Sequence, residues 1–591
     1  MRKSKVLSVV TSATLAAAML LTGCGSNDTP ASTASSEAAS SSEAASSSET
    51  TPAEDSNLLP ALSEDEMGKL GDCTIPRSSY VQYPYEGAEG ITLKYWMAVP
   101  GNVMKNPETS DSVQMTEWAK QWQELTGITV EFVGPTSNND EAFNLMSAQE
   151  KLPDIVEWEW ANKYPGGPSA AESDGLLIYL NDYITPDGPA ADLWQWLQDN
   201  PHMDKAIKDD NGNYYCFPFV RGSKYLQCTS GILIRKDYLD EIGWKVEDIV
   251  TIDDWTEVLT ALKDKGIEKP LTSQNMSNLI QAFGSAYGFR EGMYLSDTDG
   301  KVHFGPMEEG YKEWMKKMNE WVKAGLLDAD ILTNDSKIRE QNMMSGTSAA
   351  CYGAGGGQLG TWNNAAWKEP ETYGADFELV AAQFPVLKDG DVVKYGGASY
   401  DYATTSASHA SITADCEYPE VAAAFLNFCY SQAGHYAINF GTEGVSYTMN
   451  ADGSTTYTDE VMNNPDGLAV AAAMAKYGRG NMSGAFVQDP SYIFGYYATQ
   501  QQKDALYMWN DGTDSQSTLI PPITMTKDES DEYGKLNGDV NTAVKEFQGK
   551  WFTMEGDIDA QWDAYIEQLT NQGATRMIEI QQAAVDRFNA R

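Results

Sequence analysis

ITLKYWMAVPGNVMKNPETSDSVQMTEWAKQWQELTGITVEFVGPTSNNDEAFNLMSAQEKLPDIVEW, residues 91–158, alternates between two periodicities. In ITLKYWMAV (91–99), Ile91, Leu93 and Tyr95 share one face at a period of two, the pattern of a half-buried strand. Met115, Trp118, Ala119, Trp122 and Leu125 then recur at helical spacing, and Gly127 stands where a left-handed residue ends a helix. ITVEFV (128–133) predicts a second strand, residues 141–149 a second helix, and PDIVEW (153–158) a third strand. Strand, helix, strand, helix, strand predicts a parallel sheet covered by helices, and hence an α/β fold.

The alternation continues outward. GILIRKDYLDEIG (231–243) passes from strand into helix, and TIDDWTEVLTALKDKG (251–266) is an amphipathic helix opened by a Thr or Asp cap. Residues 307–327 align Tyr311, Trp314, Met315, Met318, Trp321 and Val322 on one stripe, which reads as core packing. TSAACYG (347–353) predicts a strand and PEVAAAFLNFCYS (419–431) a helix. Two terminal helices carry Ile558, Trp562, Ile566 and Leu569, then Met577, Ile580, Ala584 and Phe588.

The 591 residues are 42% hydrophobic and 11% aromatic, enough to bury sizeable cores. With 41 Lys+Arg against 85 Asp+Glu, the net charge of −44 excludes nucleic acid as a partner and opposes electrostatic docking on anionic lipid. Arg2, Lys3 and Lys5 precede an apolar stretch, 6–21, that ends in Leu21-Thr22-Gly23-Cys24. These residues resemble a bacterial lipobox, implying a signal peptide over 1–23 and a diacylglycerol on Cys24 that anchors the chain without crossing the membrane. Residues 26–57 hold no aromatic, no Val, Ile or Leu, and no Lys or Arg. Residues 24–58 therefore read as a lipidated Cys and a disordered Ser/Ala/Glu tether reaching about 30 Å. Cys73, Cys216, Cys228, Cys351, Cys416 and Cys429 show no C-x-x-C spacing. Cys216 with Cys228 and Cys416 with Cys429 are the nearest candidate disulfides, and free thiols are equally open.

The order of these blocks resembles the family 1 extracellular solute-binding lipoproteins of bacterial ABC sugar importers. The resemblance rests on strand 91–99, the helix ending Leu125-Thr126-Gly127, FNLMSAQEKLPDIV (143–156), GILIRKDYLD (231–240), helix 308–327 and CEYPEVAAAFL (416–426). GTEGVSY (441–447) and the 562–587 tail resemble the larger, oligosaccharide-type members. It implies a two-lobe periplasmic-binding-protein-like fold with a hinge, an interlobe ligand cleft and C-terminal helices. Hinge crossings are expected near 215–230, near 340 and near 395–405. That gives an N-lobe of 75–225 and 340–400 and a C-lobe of 226–339 and 401–591. The implied function is capture of a carbohydrate, an oligosaccharide, by domain closure and its delivery to ABC permease subunits. The receptor would be a monomer with no enzymatic activity and no cofactor. Its place would be the outer face of a Gram-positive cytoplasmic membrane, touched through the lipid alone. Larger relatives often carry a calcium loop after the helix matching 251–266; here Asp264-Lys-Gly-Ile-Glu-Lys-Pro270 lacks alternating oxygen ligands, so no metal is carried over.

Sugars present apolar ring faces rimmed by hydroxyls, so their sites pair flat aromatics with hydrogen-bonding side chains. In open α/β sheets the ligand lies beyond the carboxyl ends of the strands. The candidates are Trp96, late in the first strand; Trp158 and Trp160, after the third; and Arg221, following FPFV (217–220). Tyr352 and Trp362 bracket the glycine-rich 353–360, Tyr400 and Asp401 lie at the expected last crossing, and Glu443 sits in a Gly-Glu-Gly turn. Gly355–Gly360 matches G-x-G-x-x-G, but no helix is expected directly behind it, which disfavours a dinucleotide site. The four histidines are scattered, and no nucleophile elbow or P-loop is present. The runs 209–212 and 297–300 read as hairpin turns. A peptide receptor of the same fold and an anchored glycoside hydrolase are the alternatives.

Overall fold

The computed structural model describes residues 74–397, 408–451, 453–553 and 555–591. The signal segment, Cys24, the tether and Cys73 lie outside the described residues, as do Tyr400 and Asp401. The strands that organise the fold are β1 (Thr92–Trp96), β2 (Thr129–Val133), β3 (Ile155–Trp158), β4 (Val220–Arg221), β5 (Ser230–Arg235), β6 (Ala350–Ala354), β7 (Leu379–Ala382), β8 (His409–Ile412) and β9 (Val487–Gln488).

In the first lobe the sheet order is β8-β3-β1-β2. β1 runs parallel to β2 from Thr92↔Thr129 to Trp96↔Val133, and parallel to β3 at Tyr95↔Ile155. β8 closes the β3 edge antiparallel, with His409 opposite Trp158. Thr116 caps the helix Glu117–Thr126 by accepting the Ala119 N–H at 3.2 Å. Met115 therefore precedes the helix, and it and Leu125 are exposed; the buried face is Trp118, Ala119, Trp122 and Thr126. Gly127 ends the helix at φ 70°, where a Cβ would stand 2.8 Å from the Pro84 ring.

At the centre of this lobe lies a buried ion pair. Arg479 Nη2 is 2.9 Å from Glu157 Oε1 and 3.1 Å from Oε2, and the Tyr95 hydroxyl donates to Oε2 at 2.7 Å. The guanidinium also lies over the Trp118 ring, 5.1 Å from its centroid.

The second lobe is built on β6-β5-β7, in which β5 pairs antiparallel with both neighbours. Thr251 opens the helix Ile252–Lys265 with a reciprocal box: its hydroxyl accepts the Asp254 N–H, and Asp254 accepts the Thr251 N–H at 2.7 Å. The stripe of helix Glu309–Lys323 is buried as expected, from Tyr311 to Val322, against the terminal helices Lys527–Phe552, Ile558–Asn571 and Ala574–Ala590. Among the described residues no helix is long and apolar enough to cross a membrane.

The strand ladders correct the expected division of the chain. Of the stretch 340–400, the described residues 340–397 do not join the first lobe, because β6 and β7 are the partners that satisfy the two edges of β5. Nor does all of 401–591 belong to the second. β8 extends the first sheet, and Phe425 stacks on Trp122 with ring centroids 4.0 Å apart. The first lobe thus comprises roughly residues 74–222 and 408–490, and the second 228–397 and 500–591. The expected crossing near 215–230 is present; none occurs near 340. The chain passes back between 397 and 408, which includes undescribed residues, and crosses again at 490–500.

Two of these crossings form a ribbon. β4 and β9 pair in parallel, Val220 with Val487 and Arg221 with Gln488. Gly222 N–H donates to the Gln488 carbonyl at 3.0 Å, and a Cβ on Gly222 would lie 2.4 Å from that oxygen, so only glycine allows this approach. Beside the ribbon, Tyr225, Leu226, Ile493, Tyr497 and Leu506 form a small apolar cluster of their own. A further contact joins the lobes: Arg587 and Arg591 of the last helix reach Asp210 at 2.8 and 2.7 Å. Both acidic turns are as expected. Asp209 gathers the N–H groups of Asn211 and Asn213, and 297–300 joins the hairpin strands Met293–Leu295 and Val302–Phe304.

The described cysteines, Cys216, Cys228, Cys351, Cys416 and Cys429, are free thiols. Burial pushes the thiols of Cys228 and Cys416 up to about 12 and that of Cys351 to about 11.

Glu157→Gln leaves the Arg479 guanidinium buried without a counter-charge, and a loss of about 3–5 kcal/mol is expected in chemical denaturation. The double variant Glu157→Gln/Arg479→Met is expected to recover much of that loss, since neither charge is then buried alone.

Candidate functional site

A cavity of about 410 Å³ opens where the chain crosses between the lobes. Its lining includes Arg221 at the end of β4, Cys228 just after the ribbon, Arg290, Glu291, Tyr352 on β6 and Tyr395. Each is placed by backbone already described. Tyr352 alternates inward on β6 and its hydroxyl points toward the Ser230 carbonyl, 3.5 Å away. Tyr395 donates to Asp297 in the 297–300 turn, and Lys394 pairs with the same carboxylate at 2.8 Å. Both contacts hold Asp297 below the usual carboxylate range.

Arg221 Nη1 donates to Gln488 Oε1 at 3.3 Å, and its Nε is buried without a partner among the described residues. Arg290 donates to Thr518 Oγ1 at 2.9 Å and to the carbonyls of Gly396 at 3.0 Å, Ser515 at 2.5 Å and Lys394 at 3.5 Å. Burial lowers both guanidinium pKa values, that of Arg290 to about 10. Glu291 accepts from Ser277 Oγ at 2.6 Å, and burial raises its carboxyl.

Next to the cavity, helix Ser491–Tyr496 presents half-buried Tyr492, Phe494 and Tyr496. The glycine-rich turn packs on this wall: a Cβ at Gly356 would meet the Tyr496 ring at 3.1 Å, and one at Gly355 the Tyr497 hydroxyl at 2.7 Å. Gly355–Gly360 forms a π-helical turn that runs directly into helix Thr361–Lys368. A helix does therefore follow the G-x-G-x-x-G run, contrary to expectation, but the glycines admit tyrosine rings on the protein's own wall.

The predicted site residues separate into three groups. Arg221 and Tyr352 share the cavity. Trp96, Trp158 and Trp160 come together with one another instead: Phe143 stacks on Trp158 at 4.2 Å, with Trp96 and Trp160 edge-on. All three are buried in the first lobe, and the Trp158 and Trp160 indole N–H groups find no hydrogen-bond partner among the described residues. Trp362 lies in the second core, where Arg339 sits 5.6 Å from its ring and donates to the Tyr352 carbonyl at 2.8 Å. It stands behind the cavity wall, while Glu443 is exposed in a turn of the first lobe. Tyr400 and Asp401, outside the described residues, follow closely on the cavity residue Gly397. Arg290, Glu291, Tyr395, Tyr492 and Tyr496 escaped the sequence reading. The available signal was the aromatic density of SYIFGYY (491–497).

The segment 264–270 does not suit calcium. Lys269 fills its neighbourhood with an ammonium, 2.8 Å from both Asp328 and Asp330, and Lys263 donates to the Glu268 carbonyl at 2.7 Å. Among the described residues no group of three His, Cys, Asp or Glu side chains converges to hold a metal.

Comparison with known proteins matches this architecture. The fructooligosaccharide ABC transporter substrate-binding protein FusA of Streptococcus pneumoniae serotype 4 is 22% identical over 540 residues, covering 86% of this chain and 92% of that protein. Among solved structures, an HMO-binding, ABC-transporter-associated solute-binding protein from Bifidobacterium longum infantis has a TM-score of 0.65 at 17% identity, covering 84% of this chain and 99% of the other. The alginate-binding protein AlgQ2, in a structure without calcium ion, has a TM-score of 0.64 at 22% identity, covering 86% and 100%. The family model of the bacterial extracellular solute-binding proteins matches residues 106–436. With more than half of its length matched and the two-lobe fold shared, this chain belongs to the bacterial extracellular solute-binding protein family.

Proposed function

We propose that the protein is a lipid-anchored receptor on the outer face of a Gram-positive cytoplasmic membrane, capturing an oligosaccharide and delivering it to an ABC permease. The observation that carries the reading is the cavity at the lobe crossing, lined by Tyr352, Tyr395 and two guanidiniums beside the β4–β9 ribbon. Aromatic faces suit pyranose or furanose rings, and the arginine forks suit their oxygens. The names of the relatives, for fructooligosaccharide, HMO and alginate, agree in carbohydrate. Tyr352, Arg221, Tyr492 and Tyr496 are the proposed contacts, joined by Tyr400 and Asp401 from the segment after Gly397.

The mechanism is a population shift. A ligand held by both lobes binds the closed arrangement better than the open one, so it draws the equilibrium toward closure by its differential affinity. The permease then recognises the closed pair of lobes. No step requires a catalytic group, and the lipid on Cys24 with the 24–58 tether keeps the receptor beside its permease.

Thermal unfolding of the purified protein against neutral oligosaccharides, uronides, monosaccharides and short peptides tests the reading. A saccharide is expected to raise the midpoint in a concentration-dependent way, by about 2.7 kcal/mol of stability at a hundredfold excess over Kd, and to be recovered intact. A response to peptides alone, or turnover of the glycan, overturns it. Cys24→Ala is expected to move the protein from the membrane fraction to the medium, read by fractionation.

A further inference from the structure

In a chain with 85 acidic residues and 41 Lys+Arg, two arginines share one cavity and, among the described residues, neither pairs with a carboxylate. Four other buried or half-buried arginines meet carboxylates: Arg235 meets Asp237, Arg479 meets Glu157, Arg587 meets Glu529 and Asp210, and Arg591 meets Asp210. Arg221 has Gln488 Oε1 at 3.3 Å and an unpartnered Nε. Arg290 is braced by four neutral oxygens, one hydroxyl and three carbonyls. Behind Tyr352 stands Arg339, which likewise has no carboxylate partner among the described residues and adds its charge from the rear.

A guanidinium does not shed its proton when buried, so its desolvation is offset only by an anion or by dense hydrogen bonding. Arg290 has the hydrogen bonding and still carries a whole charge, and Arg221 has little of either. Glu291 is the carboxylate of the same wall. It is turned to Ser277 Oγ at 2.6 Å, Lys545 is the cation that acts on it, and it forms no ion pair with Arg221 or Arg290.

We infer that the ligand brings an anion: the captured saccharide carries a carboxylate, as in a uronic-acid unit, which Arg221 receives at the root of the cleft, with the charge of Arg290 in the same cavity. The inference rests on the carbohydrate reading above and narrows it to acidic glycans. Arg290 has committed four of its five N–H donors and contributes charge, whereas Arg221, with one bond to Gln488, keeps donors for a planar carboxylate, a match that a hydroxyl cannot reproduce.

The test uses the purified protein and trisaccharides containing glucuronate, galacturonate or mannuronate, each beside the same trisaccharide with its carboxyls reduced to hydroxymethyls. Titration calorimetry is expected to show one acid bound about ten- to a hundredfold more tightly than its reduced twin. Arg221→Gln and, independently, Arg290→Gln should abolish that preference, and Arg221→Lys should restore part of it. Unfolding midpoints of the free variants identify any that fail to fold, and Arg221→Gln alone suffices to decide. If the reduced twins or other neutral glycans bind as tightly as the acids, or the folded Gln variants keep the preference, the inference is overturned while the receptor stands. Tighter binding of a sulfated trisaccharide overturns the carboxylate assignment. Binding of no saccharide, acidic or neutral, overturns the receptor reading itself.

Discussion

Arg479 reaches Glu157 at 2.9 Å across 322 positions of sequence, in a place where neither group meets water. Such a pair adds little net stability, because desolvating two charges consumes most of what their attraction returns. Its effect is on arrangement. An arginine at that depth is tolerable in one register, with the carboxylate opposite, the Tyr95 hydroxyl sharing the load and the Trp118 face beneath. That register brings residues 475–490 back against β1 and β3, and so lays β9 beside β4. The lobe crossings, the cavity beside them and the tyrosine wall after Pro490 all follow from where this second pass of the chain is pinned.

The sequence is most legible where structure is local. Period-two and helical patterns place β1, β2, β3 and the helices between them within a few residues, because each pattern states which side must leave water. Gly127 and Thr251 mark ends through backbone geometry and capping that any reader of the chain can see. The division into lobes is not local. TSAACYG is a strand in either lobe, and only the ladder to β5, more than a hundred residues earlier, decides which. Periodicity therefore finds TSAACYG and PEVAAAFLNFCYS as elements without saying that 350–354 and 379–382 pair with β5 and that 409–412 extends the first sheet.

The same distinction runs through the site. Trp96 and Trp158 end strands at the carboxyl end of the sheet and Trp160 follows just after, yet the rings close on Phe143 and on one another. Aromatic type and strand position do not say whether a ring faces ligand or another ring. Arg221 lies beside a crossing and Tyr352 near the end of a strand, and both line the cavity. Arg290 and Tyr395 reach the cavity only because the 297–300 turn and the carbonyls of 394–396 hold them there. Nothing in their immediate sequence announces this. That an arginine has no carboxylate partner among the described residues becomes visible only in three dimensions.

The buried thiols bear on how such a chain is made. A protein exported unfolded passes from a reducing cytoplasm to an oxidising exterior, and accessible thiolates would be captured in mixed or mispaired disulfides on the way. Here Cys216, Cys228, Cys351 and Cys429 fold away as small apolar side chains while Cys416 is half-buried, and burial keeps Cys228, Cys351 and Cys416 almost wholly protonated at neutral pH. Among the described residues no disulfide has to be closed, so what guards these thiols after export is the speed with which the fold covers them.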